Sequence, residues 1–321
     1  MFTFLTKQNR IKMKKILLIV LLITSLGAFA QKDTSWTTSG LIGINGAQSG
    51  FKNWAQGGEN TLAATANLLL EAHYKKDKNI WDNMLIFNLG TSQIGDGFYK
   101  KTEDKIEFNS KFGHEASKNW FYSALFNFKT QSLIGYEYPT DTTEIMISGF
   151  LAPAYIKLGL GMDYKPNKHF SLYLSPATAR WIIVNDQHLA NMGAFGMEKA
   201  VLDTAGNIIT EGKNVKTEVG AYLRLAIEKD IFKNVNFATI LELYSDYLSN
   251  PQNIDVDWQV VITMKVNDFL NAQIKTHLIY DDDTPVGIDD NDNGKFDRFG
   301  PRTQFSEQLS LGLVYKFGAK N

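Results

Sequence analysis

From Thr61 onward the chain alternates. Leu62, Ala64, Ala66, Leu68, Leu70, Ala72 and Tyr74 are all apolar, while the intervening positions read Thr61, Ala63, Thr65, Asn67, Leu69, Glu71 and His73. A period of two puts these sets on opposite faces of a strand, a division no helix produces. The split recurs at Ile106, Phe108 and Phe112 against Lys105, Glu107, Asn109 and Lys111, and at Trp120, Tyr122, Ala124, Phe126 and Phe128 against Ser123, Asn127 and Lys129. It returns at Val215 to Ile227, at Ile254 to Met264 and at Leu270 to Tyr280, each with charged residues on the second face. The pattern predicts an all-β chain of about twelve strands, each of roughly 13 to 16 residues, long enough to cross a bilayer at a tilt. The strands are expected to start near Ser35, Asn60, Asn79, Asp104, Asn119, Phe150, Lys168, Asn214, Asn234, Ile254, Phe269 and Gln304.

The connections alternate in length. Lys75 to Lys78, Ser117-Lys118, Lys165 to Asn167, Asp230 to Lys233 and Val266 to Asp268 are short; Ser49 to Glu59, Gln93 to Glu103, Leu133 to Gly149, Asn185 to Lys213, Ser249 to Asn253 and Asp283 to Thr303 are mostly longer. Short turns at one end and long loops at the other are expected of a transmembrane antiparallel up-and-down β-barrel with periplasmic turns and extracellular loops. The last alternating segment, Phe305 to Phe317, supplies the strand that pairs with the first, because an open edge in lipid leaves backbone groups unsatisfied. A soluble β-sandwich also alternates, but explains neither the loop asymmetry nor the aromatic strand ends.

The one long apolar run, Ile16 to Ala30, follows Lys12, Lys14 and Lys15 and ends in Ala28-Phe29-Ala30. That is the layout of a secretory signal peptide, too short and wrongly flanked for a spanning helix. The expected domains are therefore a signal peptide at 1–30, cleaved before Gln31, and a barrel at 31–321. Met13 looks like the natural start, leaving residues 1–12 as an upstream extension. The expected location is the outer membrane, with its lipids and the barrel-assembly machinery as partners and other outer-membrane proteins as further candidates.

Composition removes several functions. With 33 Lys and Arg against 34 Asp and Glu, there is no basic stripe to neutralise a phosphate backbone. The absence of Cys removes thiol catalysis, thiolate zinc sites and disulfides.

Strand parity assigns charges to the lumen: Glu71, His73, Lys75, Lys105, Glu107, Lys111, Lys129, Lys157, Asp163, Glu218, Arg224, Glu228, Glu242, Asp246, Asp255, Asp257, Lys265, Lys275 and His277. Both signs are interleaved, whereas a selective pore more often carries a ring of one sign. A lumen cross-linked by ion pairs and water and an open conduit both fit, and the Asn185 to Lys213 excursion is long enough to plug a channel of this size. None of the five histidines shows metal-ligand spacing. Ser110 and His114 share the lipid-facing parity, which makes a surface lipid hydrolase an alternative, but no third orienting group stands beside them. Gly159-Leu160-Gly161 lies inside a strand and opens no helix, which excludes a dinucleotide loop. The sharpest local motif is Asp289-x-Asn291-x-Asn293-Gly294-x-x-Asp297. It repeats the first oxygen-donor positions and the glycine of a calcium loop but has Gly300 where the bidentate acid belongs, so calcium is the sole cofactor candidate. In Phe51 to Asn60, Gly57-Gly58 suits a fold-back packed by Phe51 and Trp54.

Several blocks also resemble a known family: Phe51-Lys52-Asn53-Trp54-Ala55-Gln56-Gly57-Gly58-Glu59-Asn60, Phe150 to Tyr155, Leu174-Ser175-Pro176, Ile183 to Gln187, Gly193 to Gly196 and Gly300 to Phe305. They are similar to domain of unknown function three thousand and seventy-eight, regarded as outer-membrane barrels of diderm bacteria. The resemblance implies fold and location and carries no activity or catalytic residue. The resulting expectation is a non-enzymatic, porin-like barrel, either a narrow channel for ions or small polar solutes or a closed structural or partner-binding barrel within a larger assembly.

Overall fold

The structure, a computed structural model, describes residues 35–50, 59–140, 143–284, 286–291 and 297–318. The expected signal peptide and most of the Phe51–Asn60 loop lie outside the described residues.

In chain order the strands are β1 (Trp36–Ser49), β2 (Thr61–Lys76), β3 (Asn79–Ile94), β4 (Lys100–Ser117), β5 (Trp120–Thr130), β6 (Gly135–Thr140), β7 (Thr143–Ser148), β8 (Ala154–Asn167) and β9 (Phe170–Ile183). After a short helix α1 (Gln187–Met192) follow β10 (Val201–Leu202), β11 (Ile208–Thr210), β12 (Val215–Phe232), β13 (Val235–Asp246), β14 (Asp255–Lys265), β15 (Leu270–Tyr280), β16 (Val286–Ile288), β17 (Arg298–Gly300) and β18 (Gln304–Gly318). Twelve of them close a barrel in the ring order β1, β18, β15, β14, β13, β12, β9, β8, β5, β4, β3, β2, and the remaining six pair as hairpins in the loops. From β2 around the ring through β18 to β1 the pairings are antiparallel, and β1 meets β18 with Ile42 opposite Tyr315 and Gly46 opposite Leu311.

Alternation decides which face looks out. Leu160, Leu309 and Tyr315 are among the most exposed apolar residues, at 67%, 70% and 69%. Large side chains so exposed on strands far apart in the ring, β8 and β18, are stable only against lipid, so the barrel spans a membrane. At the short-turn end Trp120 packs on Tyr164 and Tyr164 on Phe170, with ring centroids 4.8 and 6.2 Å apart, placing an aromatic cluster where a girdle belongs.

Two strands begin later or earlier than the pattern predicts. β4 starts at Lys100 rather than near Asp104, because its pairing with β3 continues past a register shift at Gly90/Thr91. β8 starts at Ala154 rather than Phe150, because Gly149 and Ala152 exchange backbone hydrogen bonds in a tight turn with Leu151 at φ 56°. The segments expected as plain loops at Leu133–Gly149, Asn185–Lys213 and Asp283–Thr303 each carry a small hairpin. On β9 the register shifts against both neighbours around Ser175-Pro176-Ala177, as proline, which has no N–H to give a ladder, allows at a bulge.

Candidate functional site

The inward parity of each strand brings charges from all sides into one volume. Local pairs form within a strand or between neighbours: on β4 Lys105 Nζ lies 3.2 Å from Glu107, across β12 and β13 Arg224 Nε lies 3.3 Å from Glu242, and across β9 and β12 Arg180 binds Glu218. Other pairs reach farther. Lys157 on β8 bonds Glu242 on β13 at 2.7 Å, and Arg180 on β9 reaches Asp255 on β14 at 2.7 Å. Two cross nearly the whole barrel. Lys129 on β5 stands 3.4 Å from Asp257 on β14, and Lys275 on β15 pairs with Glu103 on β4; in each case the strands are five positions apart in a ring of twelve. Bonds between facing walls occupy the axis of the barrel, so the lumen is bridged rather than a clear bore.

Toward the short-turn end, Lys111 pairs with the fully buried Asp163 at 2.6 Å, and Lys165 reaches Asp82, which also contacts His73 Nδ1 at 3.0 Å. Glu71 accepts a hydrogen bond from Ser39 at 2.7 Å, and His277 Nε2 lies 2.8 Å from Asp257. Lys75 and Glu228 stand exposed near the short turns, and the half-exposed Lys265 bonds Asp268 in its own turn at 2.6 Å, away from this network. Asp246 caps its loop by accepting the Leu248 N–H at 3.0 Å. Aromatic rings line the same volume: Lys111 lies over Tyr173, Lys157 over Tyr222 and Arg180 over Tyr244, at 5.6, 4.8 and 4.1 Å from the centroids. A positive group on a ring face gains electrostatic attraction while its stem covers apolar surface.

Between these groups lies a cavity of about 150 Å³, bordered by Lys129, Lys157 and Arg180 and by Glu107, Glu242, Asp255, Asp257 and Asp281. Its volume suits a few waters or a small polar solute and lies well below the roughly 300–1,000 Å³ of a pocket for a larger organic ligand. The long-loop end is partly covered. Asp186 caps α1 by accepting the Leu189 N–H at 2.9 Å, and Gly193, at φ 76°, ends it in the left-handed conformation. Leu189 and Ala190 then bury against Ile182, Val184 and Ala152, with Tyr155 and Phe195 alongside. The cap reaches the loop after β15: a Cβ on Gly196 would lie 3.0 Å from the Asp283 carbonyl oxygen.

The described residues of the expected calcium motif, Asp289 to Asn291 and Asp297, bond one another. Asp297 accepts the Asp290 N–H at 2.9 Å and the Asn291 side-chain amide at 3.2 Å, and Asp289 accepts the Asn291 N–H at 3.2 Å. Asn293 lies outside the described residues. Asn291 therefore presents its NH₂ donor to Asp297, where a cation would need its carbonyl oxygen. On the lipid face, Ser110 donates to Asn83 and accepts from Trp81, both at 2.8 Å, while His114 pairs with Asn79 at 2.8 Å. Four residues along one strand separate them by roughly 13 Å, so Ser110 and His114 form no nucleophile–base pair. Sequence reasoning missed a different acidic group: Asp255, Asp281 and Asp282 each offer a carboxylate oxygen within 4.8 Å of the others.

A family model described as "Protein of unknown function (DUF3078)" matches residues 47–136, from the end of β1 into β6. The resemblance seen in the Phe51–Asn60 block is thus matched over that stretch. No curated protein matches the chain. Among solved structures, the translocator domain of the autotransporter NalP from Neisseria meningitidis is similar at 10% identity and a TM-score of 0.37, over 96% of this chain and 98% of that one. The NanC porin is similar at 10% identity and a TM-score of 0.37, over 87% and 100%, and the Pseudomonas putida toluene transporter TodX at 8% and 0.31, over 88% of each.

Proposed function

We propose that the protein is a non-enzymatic barrel of the outer membrane whose narrow, mixed-charge lumen serves ions and small polar solutes and is bridged at rest by ion pairs. The observation that carries this reading is the pair of cross-lumen contacts, Lys129 to Asp257 and Lys275 to Glu103, beside a cavity of about 150 Å³. Charged groups paired across a lumen hold the walls together, and at the same time present a polar route whose width depends on those pairs. An apolar exterior with short turns at one end and long loops at the other is the design of an outer-membrane barrel, consistent with export through the expected signal peptide.

A second reading, a closed barrel that binds a partner through its loops, draws on the β10–β11 hairpin. Val201, Leu202, Ile208 and Ile209 are exposed there at 51–67%. Planar-bilayer conductance separates the two. The refolded wild type should show small unitary steps, and the double variant Lys129→Ala/Asp257→Ala larger ones. Silence from both proteins, each shown to be folded by heat-modifiable gel migration, favours the closed barrel.

A further inference from the structure

Next to the short turns, the lipid-facing side chains differ from one wall of the barrel to the other. Register carries the outward parity of Tyr74 across four strands: Tyr74 on β2 stands opposite Trp81 on β3, Trp81 opposite Phe112 on β4, and Phe112 opposite Ala124 on β5. One step nearer the turns the same face reads Lys76, Asn79, His114 and Tyr122. A polar row therefore lies directly beside an aromatic one. On the opposite wall of the ring, Met264 and Leu270 flank the β14–β15 turn on the lipid side, and the turn's own Lys265 is neutralised by Asp268 at 2.6 Å.

The polar row carries unspent positive charge. Lys76 and Lys78 are exposed, and neither makes an ion pair among the described residues. Asp77 stands between them at φ 52°, so the turn from Lys75 to Lys78 sets three lysines against one aspartate. The end of β4 is tied to this turn, because the Glu115 N–H donates to the Lys78 carbonyl at 2.7 Å; the Glu115 side chain has the opposite parity, toward the lumen. Asn79 accepts from His114 Nδ1 at 2.8 Å through its Oδ1, which leaves its amide NH₂ without a partner among the described residues, between Lys76 and His114. Beside these groups the Trp81 indole is fixed by donating to Ser110 at 2.8 Å, and Trp81, Phe112 and Tyr122 are 40%, 43% and 62% exposed. A lysine that only snorkels to water needs no donor at its side. Two unpaired ammonium groups and a fixed amide along one edge are the complement of an oxyanion, and the aromatic bed above them is the complement of acyl chains.

We propose that the short-turn end of β2–β4 binds the headgroup of an anionic phospholipid, with Lys76, Lys78 and the Asn79 amide on its phosphate and Trp81 and Phe112 against its acyl chains. Adjacent strands lie about 4.8 Å apart, so Lys76 on β2 and His114 on β4 stand about 10 Å apart across Asn79, which leaves room for one phosphate over the amide. Lysine suits a fluid interface: its compact charge on a flexible stem follows a mobile phosphate, where the rigid fork of arginine demands one geometry. The site is itself net positive, so it attracts an anionic head and repels the ammonium of a zwitterionic one. A lipid held there fixes the depth of this wall in the bilayer near the Trp120–Tyr164 cluster. The proposal rests on the barrel spanning a membrane and not on an open lumen.

The test uses the full chain refolded into phosphatidylcholine vesicles that contain a lipid with brominated acyl chains, either phosphatidylglycerol or phosphatidylcholine. Quenching of Trp81 is read as the difference between wild type and Trp81→Phe, and heat-modifiable migration confirms insertion of each protein. Brominated phosphatidylglycerol should quench Trp81 at a mole fraction at least about tenfold lower than brominated phosphatidylcholine, as two lysines at an anionic surface allow. Lys76→Gln/Lys78→Gln should reduce that preference to about twofold or less. Lys229→Gln should leave it unchanged, since Lys229, opposite Phe237 on the lipid side of β12, lies outside the row. Equal quenching by the two lipids in an inserted wild type overturns the proposal and leaves the face to another occupant. So does a preference lost equally in Lys229→Gln, which would be diffuse surface charge, and so does one abolished by millimolar inorganic phosphate, which would make the site one for the free anion. Should the double variant fail to insert, salt decides: raising it from about 0.1 to 1 M shortens the screening length from about 10 to 3 Å and should cut the wild-type preference several-fold, and a preference indifferent to salt counts against the site. A wild type that does not insert at all overturns the membrane-spanning reading and the proposal with it.

Discussion

Neutralising one end of a cross-lumen bridge measures how far the lumen is held shut by charge. Lys129 Nζ stands 3.4 Å from Asp257 Oδ2, and Asp257 is also held by His277 at 2.8 Å. Two unit charges at that separation attract by about 1 kcal/mol in bulk water and by about 5 kcal/mol at an effective dielectric near 20. The side chains keep 32% and 25% of their exposure, so solvent screens the pair and the upper figure is not reached. Desolvation of both ions takes back a further share, which leaves a coupling of about 1–2 kcal/mol. Lys129→Met retains the stem and removes only the charge; Asp257→Asn removes the other end with its shape kept. In equilibrium urea unfolding of the refolded barrel, each single variant should be less stable than wild type. The double variant should be destabilised by about 1–2 kcal/mol less than the sum of the singles, because the second change no longer strands a charge. Additivity to within about 0.5 kcal/mol would refute the bridge, since that is how independent sites behave.

Backbone packing gives a second prediction. A Cβ at Gly161 would overlap the Leu174 carbonyl on the neighbouring strand, so Gly161→Ala should cost at least about 2 kcal/mol or prevent formation of the heat-modifiable band. At Gly50 nothing lies within 4 Å, and Gly50→Ala should be silent; equal behaviour of the two would show that the β8–β9 contact is not as described. The third concerns pH. Burial raises the Asp281 titration despite Arg180, so the folded state holds that proton more tightly than the unfolded chain does. Its contribution to stability is present at low pH and is lost as pH rises through the folded titration. In urea unfolding of the refolded barrel, wild type should therefore lose stability relative to Asp281→Asn as pH rises, with Arg180, Asp255, Asp282 and Asp283 as the charged neighbours that set the width of the transition. A difference between the two proteins that stays flat with pH would refute the raised titration.

Strands were legible because lipid and lumen impose opposite demands on alternate residues, and nothing in a barrel hides that period. Ten of the twelve starts fall within two residues of expectation, and the two exceptions have local causes, at Gly90/Thr91 and at the Gly149–Ala152 turn. Parity identified inward charges but not their partners. Lys129 and Asp257 are 128 residues apart and Lys275 and Glu103 are 172, and each pair meets only because the ring closes with a particular stagger, which no single segment records. The acidic group at the mouth is a different case, since its geometry was within reach of the sequence. β14 and β15 form one hairpin about the Val266–Phe269 connection, with Val256 opposite Tyr280 and Asp257 opposite Ile279. The same register carried one step further sets Asp255 opposite Asp281. A run of three aspartates after a strand reads alone as a solvated turn; read across its hairpin, it lands on a fourth carboxylate, and that convergence follows from local pairing rather than from barrel closure.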